Sequence, residues 1–227
     1  MRQVATHSDV QILPAGAVGF EGLSFSPDGD YIYFVRPDSN DPGFKYLYVM
    51  PALGGLDKLL VKDIDSPVSF SPDGRTFAYT RGIPSHNATE IRIAASDGSE
   101  NRLLATITDT FAGFQPGATW SPDGRTIAVP LMRARKLPRF MLFTIQMTDG
   151  KVSELLANSS SIGRALWLPN GNTLLLVLGD HGDRGQMWAV SYPGKEARRI
   201  TNDLSDYDPR TDLTHDGNTL AAIEGKQ

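Results

Sequence analysis

The sequence predicts an all-β protein, a β-propeller of four-stranded antiparallel blades. Three observations carry that expectation. A Ser-Pro-Asp-Gly turn is written three times without change, at 26–29, 71–74 and 121–124, with altered copies at 168–171 and 214–217. The glycines of these turns, Gly29, Gly74, Gly124, Gly171 and Gly217, lie 45, 50, 47 and 46 residues apart, the spacing of propeller blades. No segment repeats apolar residues at helical intervals over three turns.

Each turn has a readable chemistry. Proline pre-sets φ for a turn position, aspartate bonds nearby backbone N–H groups, and glycine supplies a positive φ without steric cost. Four residues before each glycine stands a large apolar residue: Phe25, Phe70, Trp120, Trp167 and Leu213. Three residues after it stands another: Ile32, Phe77, Ile127, Leu174 and Leu220. These mark two strands flanking a hairpin, each with an anchor expected to be buried.

A variable loop and a third strand follow, read in "YLYVMP", "EIRIAAS", "FMLFTIQM" and "QMWAVSY". A second turn ("ALGG", "SDGS", "MTDG", "YPGK") leads to a fourth strand in "LDKLLV", "NRLLAT", "VSELLA" and "ARRIT". Near the start, "DVQILPAG" resembles a fourth strand with no first three before it. The last repeat holds two strands, "RTDLT" and "TLAAIEG". Four complete blades and part of a fifth are therefore expected. They form a single domain over residues 8–224 with a tail at 1–7, a segment of a larger ring.

Composition narrows the function classes. With 227 residues the chain can bury about 70% of its unfolded surface, so it needs no disulfide or metal to hold a core. It has no cysteine, which removes disulfides, thiolate metal sites and cysteine nucleophiles. A formal net charge of −4 argues against a nucleic-acid partner. No run of 18 apolar residues suggests a membrane span, and "MRQVATHSDVQ" has no apolar core of a signal peptide.

The repeated F/W-S-P-D-G-[RK]-x-[IL]-A pattern, followed by "LYVMPALGG", resembles the TolB-like propeller repeats, relatives of WD repeats. Three stretches look closer to one subgroup: "QILPAGAVGFEGLSFSPDGDYIYFVR", "GGLDKLLVKDIDSPVSFSPDGRTFAYTRG" and "RRITNDLSDYDPRTDLTHDGNTLAAIE". They resemble the C-terminal propeller of bacterial eukaryotic-like serine/threonine protein kinases. There a cytoplasmic kinase and a membrane helix precede an outer sensor propeller. The resemblance implies a sensor or scaffold module outside the cytoplasm. The chain carries no G-x-G-x-x-G loop, H-R-D or D-F-G, so kinase chemistry would belong to another domain. His215 departs from the pattern, where proline is expected.

Propellers carry function on loops held by rigid blades. The SPDG turns fall on one face. The opposite face collects the loops before each first strand ("AVGFEG", "DIDSP", "AGFQPG", "SSIGR", "SDYDPR") and those between second and third strands ("PDSNDPGF", "RGIPSHNATE", "MRARKLP", "GDHGDRG"). These differ in every repeat, as a recognition surface for a protein or small-molecule ligand would.

Asp206, Asp208 and Asp212 stand at the head of the last first strand, where they could hold a cation or basic group. Asp208 and Asp212 share a face if that strand is regular. Asp65 aligns with Asp208, each nine residues before its glycine. Arg164 and Arg210 close "SSIGR" and "SDYDPR" and complete the set of ligand-binding candidates. The acids do not match a calcium loop, and solvated loop acids are the preferred reading for them.

"GDHGDRG" mixes a histidine and acids in a glycine-rich loop and is read as a connector, not a metal site. The cations of "MRARKLPR", Arg133, Arg135, Lys136 and Arg139, are read as solvated. His7, His86 and His215 lack partners at ligand spacing, and Trp120, Trp167 and Trp188 are read as core. No G-x-S-x-G elbow occurs. No catalytic residue, metal or cofactor is expected. The alternatives kept open are the gating propeller of a serine peptidase and a propeller hydrolase using acids at the channel mouth.

Overall fold

Short apolar runs, buried on both faces in the second strands and punctuated by the SPDG turns, form four antiparallel sheets of four strands each. The computed structural model describes residues 2–3, 7–9, 11–13, 19–38, 41–111, 113, 116–135, 137, 139–158, 160–179, 184–214 and 216–225. Blade 1 comprises Glu21–Phe25, Tyr31–Pro37, Lys45–Pro51 and Lys58–Lys62. Blade 2 comprises Ser69–Phe70, Thr76–Ile83, Ala88–Ala95 and Arg102–Thr108. Blade 3 comprises Thr119–Trp120, Thr126–Met132, Phe140–Gln146 and Val152–Asn158. Blade 4 comprises Leu166–Trp167, Thr173–Gly179, Gly185–Ser191 and Ala197–Arg199. No α-helix occurs among the described residues; a single 3-10 turn, Pro84–His86, lies between two strands of blade 2.

The hairpin register follows the sequence repeat. The two anchors face each other in every unit: Phe25 with Ile32, Phe70 with Phe77, Trp120 with Ile127, Trp167 with Leu174 and Leu213 with Leu220. In blades 1, 2 and 3 the third and fourth strands pair across a bulge, at Leu47/Tyr48, Leu103/Ala105 and Leu142/Phe143.

The SPDG turn closes on itself more completely than proline, aspartate and glycine alone suggest. In blade 3, Ser121 Oγ donates to Asp123 Oδ1 (2.6 Å) and accepts the Thr126 amide (2.9 Å). Asp123 Oδ1 also accepts the Arg125 amide (3.0 Å), and the Gly124 amide donates to the Ser121 carbonyl (2.9 Å). Gly124 has φ +70°, a region open to glycine and costly for other residues. Blades 1 and 2 repeat the arrangement through Ser26–Asp28 and Ser71–Asp73. Thr214 and Asp216 reproduce it in the fifth unit.

Successive blades bury their apolar faces against one another. Tyr33, Val35 and Val61 of blade 1 cluster with Val68, Phe77 and Tyr79 of blade 2, and the Tyr33 and Phe70 rings meet edge-on at 4.9 Å. Ala78, Ile91 and Ile93 of blade 2 meet Ala118, Ile127, Val129 and Ile145 of blade 3. Ala128 and Leu142 meet Trp167, Leu174 and Leu176 of blade 4, and the Trp167 indole donates across the seam to the Thr119 carbonyl (3.3 Å). Fully burying one such side chain contributes about 1.5–3 kcal/mol. The blades are therefore held mainly by their neighbours.

Three features depart from the sequence reading, and all lie at the ends of the arc. Ser8–Asp9 pairs with Arg2–Gln3 in a short hairpin, and residues 11–13 form no strand. Ile12 and Leu13 nonetheless pack on Ile32, Phe34, Met50 and Ala52 of blade 1. The Ile12 carbonyl approaches Gly54 much as the Leu60 and Leu104 carbonyls of fourth strands approach Gly98 and Gly150. The segment thus takes a fourth strand's place without its ladder; Val10 and residues 14–18 lie outside the described residues. In the fifth unit the hairpin is interrupted: Asp206–Tyr207 pairs with Glu224–Gly225, and Asp212–Leu213 pairs with Leu220–Ala221. Finally, the anchors Phe25 and Leu220 are exposed, unlike Phe77, Ile127 and Leu174, because no described blade covers them.

Candidate functional site

The blade order puts the SPDG turns on one rim and the candidate residues on the other. On the turn rim the polar groups satisfy one another. Asp28, Asp73, Asp123 and Asp216 are held below the usual carboxylate range by the hydroxyls of Ser26, Ser71, Ser121 and Thr214, with a backbone amide adding to each. Such a carboxylate has little left to offer a ligand.

The opposite rim is uneven. Asp65 begins the entry to blade 2. Its amide donates to the Thr80 carbonyl (2.9 Å) and its Oδ2 accepts the Gly82 amide (2.9 Å). The aligned Asp208 donates likewise to the Ile223 carbonyl (2.9 Å), so the repeat holds at this position in three dimensions. Beside Asp65, Asp63 lies 3.2 Å from Arg81; burial pushes the Asp63 carboxyl up while Arg81 opposes it.

Asp206 and Asp208 come together at the junction of blade 4 and the fifth unit. They help line a cavity of about 290 Å³ with Ser161, Gly185, Tyr207 and Ile223. Asp206 Oδ1 accepts the Gly185 amide (2.7 Å). Glycine is required there, since a Cβ on residue 185 would meet the Tyr207 carbonyl and Val177. Asp208 is clamped by Arg210, whose Nε (2.8 Å), Nη2 (2.7 Å) and amide (2.8 Å) all donate to it. That guanidinium, itself mostly exposed, holds the Asp208 carboxyl below its ordinary range. Tyr207 donates its hydroxyl to Asp203 (2.8 Å), which pushes the phenol up.

Arg164 and Asp212 are placed differently. The Arg164 amide donates to the Pro209 carbonyl (3.3 Å), tying blade 4 to the fifth unit, and its buried Nε has no hydrogen-bond partner among the described residues. Asp212 pairs with Ala221, its carboxylate accepts the Leu213 amide (3.0 Å), and it lies outside the cavity lining. The interruption after Tyr207 separates it from Asp208. Asp65 lies at the blade 1–blade 2 junction, also outside the lining. Sequence reading missed Gly185 and Tyr207: a backbone amide leaves no mark in the sequence. The aromatic inside "SDYDPR" was the available signal.

Arg133 pairs with Glu154 (2.6 Å), whereas Lys136 lies outside the described residues. Residues 180–183 of "GDHGDRG" and His215 also lie outside them. His86 Nδ1 meets only the neighbouring Ser85 hydroxyl at 3.0 Å among its hydrogen bonds here. Trp167 is buried, and Trp120 and Trp188 are partly buried against the blade clusters. No group of three or more His, Cys, Asp or Glu side chains is placed to share a metal ion among the described residues. No helix among them is long and apolar enough to cross a membrane.

No protein-family profile matches the sequence, and no curated protein does. Solved structures do match. TolB from Acinetobacter baumannii superposes with a TM-score of 0.69 at 16% identity, over 86% of this chain and 47% of that one. The oligogalacturonate lyase of Vibrio parahaemolyticus gives 0.65 at 14% identity, over 92% of this chain and 61% of that one. Prolyl oligopeptidase B from Galerina marginata gives 0.60 at 14% identity, over 87% and 31%. The chain spans about half of that TolB's length. These likenesses establish the propeller fold, which these proteins use for different purposes.

Proposed function

We propose that this chain is a non-catalytic binding module that recognises a protein or small ligand on the rim opposite its SPDG turns. The observation that carries the reading is the contrast between the rims. One is a row of near-identical turns whose polar groups are spent on each other. The other differs in every repeat and opens, between blade 4 and the fifth unit, into a cavity lined by Ser161, Asp206, Tyr207 and Asp208 together with Val177 and Ile223. Its volume of about 290 Å³ sits at the small end of ligand pockets, suited to a side chain or a small molecule. Asp206 favours a basic group on that ligand, whereas Asp208 is already held by Arg210. Because rigid blades hold the walls, binding costs little ordering entropy.

The resemblance of the repeats to kinase-associated propellers supports the finer reading, an extracytoplasmic sensor portion of a bacterial serine/threonine kinase. The fold it shares with TolB is compatible with that placement. The likeness to prolyl oligopeptidase B supports the competing one, a gating propeller. The flanking coding sequence separates them: a kinase and membrane helix upstream favour the first, and a G-x-S-x-G domain downstream favours the second.

Binding is tested by titrating the labelled chain with arginine- and lysine-containing tripeptides, and with aspartate- and glutamate-containing ones. The basic peptides are expected to move the NMR signals of Gly185, Tyr207 and Ile223 and to weaken with added salt. Movement at Gly74 or Gly124 instead, or none at millimolar peptide, refutes the assignment of the rim.

A further inference from the structure

We propose that Arg164 is an oxyanion-binding residue: on the inner wall of the arc, at the rim opposite the SPDG turns, its guanidinium takes a carboxylate or phosphate group of a ligand.

The place of Arg164 follows from the repeat. The first strands of blades 2, 3 and 4 lie side by side and form the inner wall. Arg164 leads into that strand of blade 4, seven residues before the turn glycine Gly171. Gly22, Pro67 and Gly117 hold the same place in blades 1, 2 and 3. They pack on one another: a Cβ on Gly22 would come within 2.8 Å of the Pro67 ring, and one on Gly117 within 3.3 Å. None of the three carries a side-chain hydrogen-bonding group. In blade 4 this place passes to a guanidinium, a group that only donates, and in the fifth unit to Arg210.

Arg164 is also the exception among its own kind. Every other partly buried arginine among the described residues engages its guanidinium within the chain. Arg36, Arg81, Arg92 and Arg133 pair with Asp57, Asp63, Glu90 and Glu154. Arg184 and Arg199 donate to the carbonyls of Leu204 and Thr201. The exposed Arg210 is held by Asp208. The Arg164 side chain makes no hydrogen bond or ion pair with a described residue, and its Nε is shut away from solvent. A guanidinium donor taken out of water without an acceptor is costly, so its place in a native fold points to an acceptor from outside the chain.

The acceptor that fits is an oxyanion. The guanidinium fork matches two oxygens of a carboxylate or phosphate. The acids of the same junction are already engaged, Asp208 by Arg210 and Asp206 by the Gly185 amide. Arg164 as a whole is only partly buried, so a ligand on this rim can reach it. It lies outside the lining of the Asp206 cavity. The site therefore rests on the rim assigned above and not on that cavity.

Nitrogen-15 NMR of the arginine Nε–H signals tests this on the intact chain. The Arg164 signal is the one missing from both Arg164→Lys and Arg164→Met. Acetate and inorganic phosphate, each against chloride at matched ionic strength, are expected to shift that signal and slow its exchange with water, while Gly74 and Gly124 on the turn rim stay still. Tighter acetate binding assigns a carboxylate-bearing ligand, and tighter phosphate binding a phosphorylated one. Arg164→Met keeps the packing of the stem and should bind either anion at least about tenfold more weakly. In chloride alone its urea midpoint should equal or exceed that of wild type, since the donor it removes has no partner to lose. Acetate or phosphate should raise the wild-type midpoint only. Neither probe has a basic group, so this result and the tripeptide titration can fail independently. An Arg164 signal that ignores both anions, or follows chloride equally, overturns the proposal. So does an Arg164→Met chain less stable than wild type in chloride, which would mean that the guanidinium has a partner within the fold.

Discussion

Replacing Ser121 with alanine removes one buried oxygen that serves two partners, the exposed Asp123 carboxylate and the buried Thr126. Ser121 and Thr126 are both buried. The Ser121 hydroxyl donates to the Asp123 carboxylate at 2.6 Å and accepts the Thr126 amide at 2.9 Å. Water screens the bond to the exposed Asp123 carboxylate, which contributes less than about 1 kcal/mol, whereas a buried amide left without an acceptor costs about 1–3 kcal/mol. Because one atom supplies both and neighbours relax, the expected loss is about 1–3 kcal/mol, most of it from the Thr126 amide. Thr214 is the internal control. It makes the same two bonds, to Asp216 (2.6 Å) and from Thr219 (3.0 Å), but in an exposed turn where water replaces them. Thr214→Ala is expected to cost less than about 1 kcal/mol.

Urea unfolding followed by tryptophan fluorescence measures both, since Trp120 and Trp167 sit at blade seams. The pH dependence has a definite sign. The Ser121 hydroxyl holds the Asp123 carboxyl below its ordinary value in the folded state. Its contribution is therefore present above the unfolded value of about 3.9 and is lost as pH falls through the folded one. The stability gap between wild type and Ser121→Ala should accordingly narrow in acid. A gap that widens in acid, or a Ser121→Ala cost no larger than that of Thr214→Ala, refutes the reasoning.

Three further outcomes are expected. Trp167→Phe deletes the indole donor to the Thr119 carbonyl and should lower the urea midpoint by the equivalent of about 1–2 kcal/mol; an unchanged midpoint means that this bond does not tie the seam. Gly150→Ala places a Cβ 2.5 Å from the Leu104 carbonyl at φ +70°, whereas Gly171→Ala at φ +68° meets open space. The first should cost about 3 kcal/mol or more and the second about 1 kcal/mol, and equal melting temperatures for the two would discard the close approach of blades 2 and 3. Arg210→Ala should let the Asp208 carboxyl rise toward its ordinary value in a carbon-13 NMR titration, and no movement would mean that the bidentate pair does not form in solution.

Local chemistry was legible in the residues, and shared chemistry was not. The facing of Trp120 with Ile127, or of Phe70 with Phe77, follows from a fixed offset around a turn of known length. The alignment of Asp65 with Asp208 was legible too, and both amides find the corresponding carbonyl. The cavity was only half legible. Asp206 and Asp208 stood out as acids, but the partner of Asp206 is the amide of Gly185 from another strand, and Asp212 falls away because the hairpin breaks between them.

Turn type, hairpin pairing and the number of repeats came from the one-dimensional pattern, because turn geometry and the fixed offsets around it act over a few residues. Which apolar positions are covered came only from the stacking of blades. Phe25 and Phe70 are the same residue at the same offset, yet Phe70 packs under Tyr33 of blade 1 and Phe25 faces outward. Burial belongs to a pair of surfaces, and a repeat cannot state whether its neighbour is present.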